Sequence, residues 1–176
     1  MAKMRPGAFF IGVDANAKPL EKPSMKATRK PAKGGLPNSM FVQAAVECLP
    51  EEFARIASEI HINFPWGSLL RAVAPRDAAV LGSLRGIARP DAVLEILLGV
   101  DPERDRAELE RLGVPEINTA YINTELASRY EAAGFSLVES RELEPCEWAK
   151  LPTSWARRLS GNSSRHVYHL RFIAAG

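Results

Sequence analysis

The chain has 176 residues, 46% of them hydrophobic and 25% charged, with 13 prolines, 12 glycines and two cysteines. Those proportions fit a single globular domain over 1–176 and exclude a collagen-like chain, a disordered chain or a disulfide scaffold. The net charge of +2 conceals an asymmetry: Lys18, Lys22, Lys26, Arg29, Lys30 and Lys33 face the single acid Glu21, while 14 acids face five arginines from Asp91 to Glu147. A second acid-free stretch, from Trp148 onward, carries Lys150, Arg157, Arg158, Arg165 and Arg171. Two basic segments of this kind are either ordinary solvated faces or a surface for a polyanion.

No apolar run approaches the ~20 residues of a membrane helix. Ala8–Val13 is too short for the apolar core of a signal peptide and stops at Asp14. Cys48 and Cys146 have no metal spacing, and His61, His166 and His169 share none with acids or cysteines, so no metal is expected. A cytoplasmic chain follows as the expectation.

In chain order, Phe9–Asp14 reads as a strand buried on both faces and ending in an acid. The proline-rich stretch after it predicts helix only from Ser24 to Lys30. Ser39–Val46 is a second strand, followed by Glu47, and Pro50–Phe53 makes one helical turn. Ser58–Phe64 is a third strand. A helical stripe covers Asp77–Arg89 between Pro75 and Pro90, then Ala92–Val100 is a fourth strand and Pro102–Leu112 a charged helix. Asn123 caps a helix that ends at Ala133, with Gly134 beyond it. Phe135–Ser140 is a fifth strand, Ser154–Leu159 a short helix, and Arg165–Phe172 an antiparallel-type last strand. Strands alternating with helices predict an α/β fold with a largely parallel sheet.

Phe64-Pro65-Trp66-Gly67 places a large aromatic at a strand-to-helix corner, at the strand end where open α/β sheets bind ligands. Trp66 is then either a plug for the end of the core or the wall of a site. Asp14 and Glu47 are acids at the tips of two earlier strands. In nucleotide-binding α/β folds such acids meet ribose hydroxyls and the adenine amino group, although an acid after a strand is also common turn chemistry.

Taken together, Ile11–Asp14, Lys30–Leu36, Ala44–Pro50, Phe64–Leu70 and Thr153-Ser154-Trp155-Ala156-Arg157-Arg158-Leu159 resemble the aminoglycoside-resistance 16S rRNA (adenine-N1)-methyltransferases. The resemblance spans about residues 9–173. It implies a Rossmann-like class I methyltransferase sheet, mostly parallel with an antiparallel last strand, and S-adenosylmethionine as cofactor. The implied partner is 16S rRNA in the small ribosomal subunit, with no membrane and a monomeric enzyme. Carried over by position, Asp14 would hold the cofactor ribose, and Val46 and Glu47 would flank its adenine. Ser68 and Thr153 would shape the pocket. Trp66 and Trp155 would clamp a flipped-out adenine, and Lys26, Arg29, Lys30, Lys33 and Arg165 would hold rRNA phosphates. Trp148 matches no site and reads as packing.

The chain departs from the family pattern at two places. The family carries an earlier strand and a glycine-rich acidic loop that cradles the cofactor, and Met1–Gly7 is too short to supply them. The expected sheet therefore lacks its first, central strand and that loop. At the end of the charged helix, Leu112 stands where the family has a basic residue, with Arg111 one place earlier. Two other readings stay open at this level. One is a catalytically impaired or inactive remnant that still binds RNA; the other is a small-molecule methyltransferase-like protein, which leaves the basic segments unexplained.

Overall fold

The computed structural model describes residues 1–76, 78–151 and 164–176, and the chain divides into two compact units, Met1–Glu51 and Glu52–Gly176. In the first unit, strands β1 (Phe10–Asp14) and β2 (Ser39–Gln43) pair in parallel, joined through helix α1 (Ala17–Ala27). Helix α1 begins well before the predicted Ser24. The Asn16 side chain accepts from Lys18 N at 3.0 Å, capping the start. Pro19 falls in the first turn, where its missing N–H has no helical partner to lose.

Strand β2 stops at Gln43 and not at Val46. Ala44 N donates to Asp14 O at 3.1 Å, and β1 ends there, so nothing remains to pair with. Nor is β1 buried on both faces within its unit, since Val13 and Met40 are exposed. One helix covers only one face of a two-stranded sheet. The Phe41 ring lies over its strand partner Gly12, where a Cβ would stand 2.6 Å from Phe41 Cδ1.

The second unit runs, in chain order, through β3 (Ala57–Asn63), α2 (Ser68–Arg71), α3 (Ala78–Ile87), β4 (Ala88–Val100), α4 (Arg106–Leu112), α5 (Thr119–Tyr121), α6 (Ala127–Ala132), β5 (Phe135–Leu143), α7 (Pro145–Trp148) and β6 (His166–Ala174). Its sheet has the order β3-β4-β6-β5, with β3 parallel to β4 and β6 antiparallel to both neighbours. The class is α/β with a mixed sheet, and the last strand is antiparallel as the alternation of its residues predicts. Among the described residues, β1 and β3 each pair with a strand on one side only. No described helix is long and apolar enough to cross a membrane.

Alternate residues of β4 fill the core. Leu94, Ile96 and Leu98 are buried with Leu170 and Phe172 of β6, and Tyr130 stacks on Phe172 with ring centroids 4.3 Å apart. Burying each such side chain contributes about 1.5–3 kcal/mol.

Two widened turns are absent from the sequence expectation. Residues Ala72–Arg76, between α2 and α3, form a π-helical turn that carries the chain through Pro75 without breaking the helix. Tyr130 Oη donates to Val73 O at 2.9 Å and Tyr121 Oη to Ala74 O at 3.4 Å, so these two carbonyls of the turn are met. Burial pushes the Tyr130 phenol well above its usual range, which keeps it a donor. The second π turn, Ile122–Leu126, lies between α5 and α6. The helix around it is capped by Asn118, which accepts from Tyr121 N at 2.9 Å, and not by Asn123.

Other boundaries also move. Strand β4 begins at Ala88, inside the expected helix, because Ala88 already pairs with Ala57 and Asp91, at φ 61°, absorbs the irregularity. Strand β5 runs on to Leu143 because Leu143 still pairs with Val167. Helix α7 is not foreseen from the sequence; Glu144 and Glu147 cap it reciprocally, and Pro145 stands in its first turn. The helix predicted over Ser154–Leu159 lies outside the described residues.

Candidate functional site

In the first unit, the carboxyl ends of β1 and β2 carry Asp14 and the turn Ala45–Cys48, with Cys48 N donating to Ala45 O at 3.0 Å. The bond from Ala44 N to Asp14 O brings Val46 and Glu47 to the same sheet edge as Asp14. Asp14 Oδ1 accepts from Asn16 N at 2.8 Å, while Oδ2 has no partner among the described residues. An acceptor-only carboxylate with one open oxygen suits a diol. Val46 is half-buried and Glu47 exposed, an apolar wall beside an acceptor. That set of groups fits a nucleoside.

Lys18, Lys22 and Lys26 fall four residues apart on α1 and form one row on the helix surface. Arg29 and Lys30 follow, and Lys33 closes a 3-10 turn, Pro31–Lys33, that ends at Gly34 in the left-handed region, φ 80°. All six cations are exposed, and none makes an ion pair among the described residues. Lys18 and Lys22 extend the predicted phosphate-facing set along the helix. The missing signal was the helix itself, which Pro19 and Pro23 hid.

The second unit builds a different edge. Phe64 N donates to Leu97 O at 2.8 Å, prolonging the β3–β4 ladder to the corner. Phe64 has φ 51° and Gly67 has φ 58°, so two left-handed residues bracket Pro65-Trp66. A bulky residue in that region costs about 1–3 kcal/mol and persists only when its surroundings fix it. Here Phe64 is buried in a cluster with Leu97, Leu143, Trp148 and Val167. Its ring lies on Gly99, where a Cβ would meet Phe64 Cδ1 at 2.7 Å. Trp66 is the outcome of this bend: 42% of it is exposed, beside the exposed Ser68 at the start of α2.

Arg165 is corrected by the structure. Its guanidinium does not face solvent: Nη1 donates to Gly99 O at 2.8 Å and to Asp105 Oδ2 at 2.9 Å, and the side chain is 8% exposed. Asp105 Oδ2 also accepts from Asp101 N at 2.9 Å. The fully buried Asp101 accepts through Oδ1 from Glu103 N and Arg104 N at 3.2 and 3.1 Å, and through Oδ2 from Ser164 Oγ at 2.8 Å. These bonds hold the turn after β4, which delays α4 to Arg106, and tie it to the start of β6. Sequence reasoning missed Asp101 and Asp105. The signal was present, because Asp101 follows Val100 as Asp14 follows Val13.

The ends of β3 and β4 and the start of β6 therefore share one edge with the Trp66 corner. Leu151 packs on the Phe64 cluster from the far side of α7. Thr153 and Trp155 lie outside the described residues. Among the described residues, no group of three or more His, Cys, Asp or Glu could hold a metal.

A family profile described as NpmA, 16S rRNA (adenine(1408)-N(1))-methyltransferase, matches residues 1–174. A 16S rRNA (adenine(1408)-N(1))-methyltransferase from Streptoalloteichus hindustanus is 38% identical over 166 residues, covering 94% of this chain and 74% of its own length. One from Escherichia coli is 33% identical over 166 residues, covering 92% and 74%. Among solved structures, the aminoglycoside resistance methyltransferase NpmB1 superposes with a TM-score of 0.84 at 46% identity, over 99% of this chain and 79% of that one. A W203A mutant of a 16S rRNA (adenine(1408)-N(1))-methyltransferase from Catenulisporales acidiphilia, solved with cosubstrate SAM, gives a TM-score of 0.88 at 35% identity, over 99% and 79%.

Proposed function

The chain belongs to the 16S rRNA (adenine(1408)-N(1))-methyltransferase family, and on that premise we propose that it transfers a methyl group from S-adenosylmethionine to N1 of a decoding-site adenine in 16S rRNA. The observation that carries this reading is the Trp66 corner, a partly exposed indole presented at the carboxyl edge of the sheet by a strained, closely packed bend.

Adenine N1 carries an in-plane lone pair and no proton, so its attack requires no general base from the chain. When bound, the cofactor's sulfonium supplies an electrophilic methyl group. What the protein contributes is position. An adenine within structured RNA must leave its stack first, at a cost of a few kcal/mol. Stacking on an aromatic ring returns about 1–3 kcal/mol per base, so Trp66 and Trp155 together offset the flip. Asp14 would hold the cofactor's ribose hydroxyls, with Val46 and Glu47 at its adenine, and Ser68 and Thr153 would shape the pocket. Lys26, Arg29, Lys30 and Lys33, with Lys18 and Lys22 on the same helix, neutralise rRNA phosphates in the small subunit. Arg165 acts through Asp105, as an anchor for the start of β6. Methylation blocks the pairing edge of the adenine and adds a positive charge, and aminoglycoside resistance is the consequence we assign to it. The enzyme works as a cytoplasmic monomer.

A second reading, an RNA-binding chain without catalysis, draws on one observation. The exposed lysine row of α1 serves phosphate binding with or without methyl transfer. Calorimetric titration with S-adenosylmethionine separates the two readings. We expect saturable binding that Asp14→Ala abolishes. A folded chain that binds no cofactor yet binds small subunits favours the second reading. Incubation of small subunits with methyl-tritiated cofactor then tests catalysis, with label expected in 16S rRNA.

A further inference from the structure

We infer that Trp148 is a positioning residue for Trp66, an inference that rests on the stacking role proposed above. Trp148 is 1% exposed. Its Nε1 has no hydrogen-bond partner among the described residues. It is the largest member of the buried cluster that contains Phe64, Leu97, Leu143 and Val167.

Trp66 is 42% exposed and sits between two residues of positive φ. Its direction is set by the left-handed Phe64 before it and the left-handed Gly67 after it. Gly67 can relax to other conformations freely, so the constraint falls on Phe64. Gly99 limits that ring on one side, leaving no room for a Cβ. The cluster around Trp148 closes on the remainder.

Trp148 is itself fixed from the protein surface. Glu147 Oε2 accepts from Glu144 N at 2.9 Å, closing the reciprocal cap of α7. Glu147 Oε1 accepts from Arg141 Nη1 of β5 at 2.7 Å. The Arg141–Glu147 pair thus anchors α7, whose Trp148 shares one buried cluster with Phe64. Removing the indole leaves space into which Phe64 can relax toward ordinary backbone angles, carrying Trp66 with it.

The test uses the full chain labelled with 5-fluorotryptophan, whose three fluorine resonances are assigned by single Trp→Phe substitutions. In Trp148→Leu the Trp66 resonance should shift by more than its linewidth, and Trp148→Phe should return most of that shift. Methyl transfer to small subunits should fall about 10- to 100-fold in kcat with KM changed less than about threefold, the signature of a misplaced stacking partner. A folded Trp148→Leu chain whose Trp66 resonance does not move overturns the inference.

Should Trp148→Leu not fold, Arg141→Ala substitutes an exposed residue and reads the same coupling from the surface. The Trp148 and Trp66 resonances must then move together, and any other result overturns it. The resonances are read without RNA. A moved Trp66 with unchanged methyl transfer leaves the positioning intact and removes the stacking role of Trp66 instead.

Discussion

The Phe64 ring lies against the α-carbon of Gly99 so closely that a methyl group there would stand 2.7 Å from Phe64 Cδ1. Gly99 pairs with Val167 in the β4–β6 ladder, so neither strand can yield without disturbing the sheet. Gly99→Ala should therefore overpack the corner and cost about 1–3 kcal/mol. The urea midpoint measures this, and an unchanged midpoint would mean that Phe64 has room to move.

The Arg165–Asp105 pair is buried on both sides, each side chain less than a tenth exposed. Removing one partner strands the other charge. Asp105→Ala should destabilise by about 3–5 kcal/mol, more than the loss of an exposed ion pair. The Arg129–Glu125 pair, 46% and 66% exposed, supplies the control; Glu125→Ala should change the urea midpoint by less than about 1 kcal/mol equivalent.

The Arg141 hydrogen bond, followed by the backbone bond from Glu144, holds the Glu147 carboxyl below its usual value. A carboxyl depressed on folding binds fewer protons in the native state. Its contribution is present above the unfolded value, about 4.3, and disappears as pH falls through the native one. Glu147→Gln removes the charge at every pH. The stabilities of the two chains should differ at neutrality and converge as pH falls below the unfolded value and through the lower native one. Curves that stay parallel throughout would contradict this role for Glu147.

The lysine row on α1 is open to solvent and unpaired among the described residues. Each phosphate that is no longer neutralised should reduce the slope of log K against log salt by about 0.7–0.9. Lys22→Ala with Lys26→Ala should lower the slope for small-subunit binding by roughly twice that. A weaker affinity at an unchanged slope would place these lysines away from phosphates.

Apolar runs and alternation made all six described strands legible in the sequence, with β2 ending earlier than expected. What failed were features set by partners distant in sequence. Pro19 and Pro23 argued against the first part of α1, yet Pro19 stands where a helix needs no N–H, Asn16 caps the start, and Pro23 is carried inside the helix. The π turn at Ala72–Arg76 exists because the helix must pass through Pro75 while Tyr130 and Tyr121 satisfy the carbonyls of Val73 and Ala74. Arg165 read as a phosphate ligand because a sequence does not reveal that Asp105 is buried beside it. Trp148 did read correctly as packing, but what it packs against could not be seen.

The most direct test of the central claim is primer extension across the decoding site of 16S rRNA, after small subunits are incubated with the chain and saturating S-adenosylmethionine. Methylation at adenine N1 blocks pairing, so reverse transcriptase should stop immediately before the modified base. Trp66→Ala should weaken the stop in proportion to the stacking removed, about 1–3 kcal/mol or roughly 5- to 150-fold in rate. Read-through without a stop by a folded chain that binds the cofactor would contradict the account.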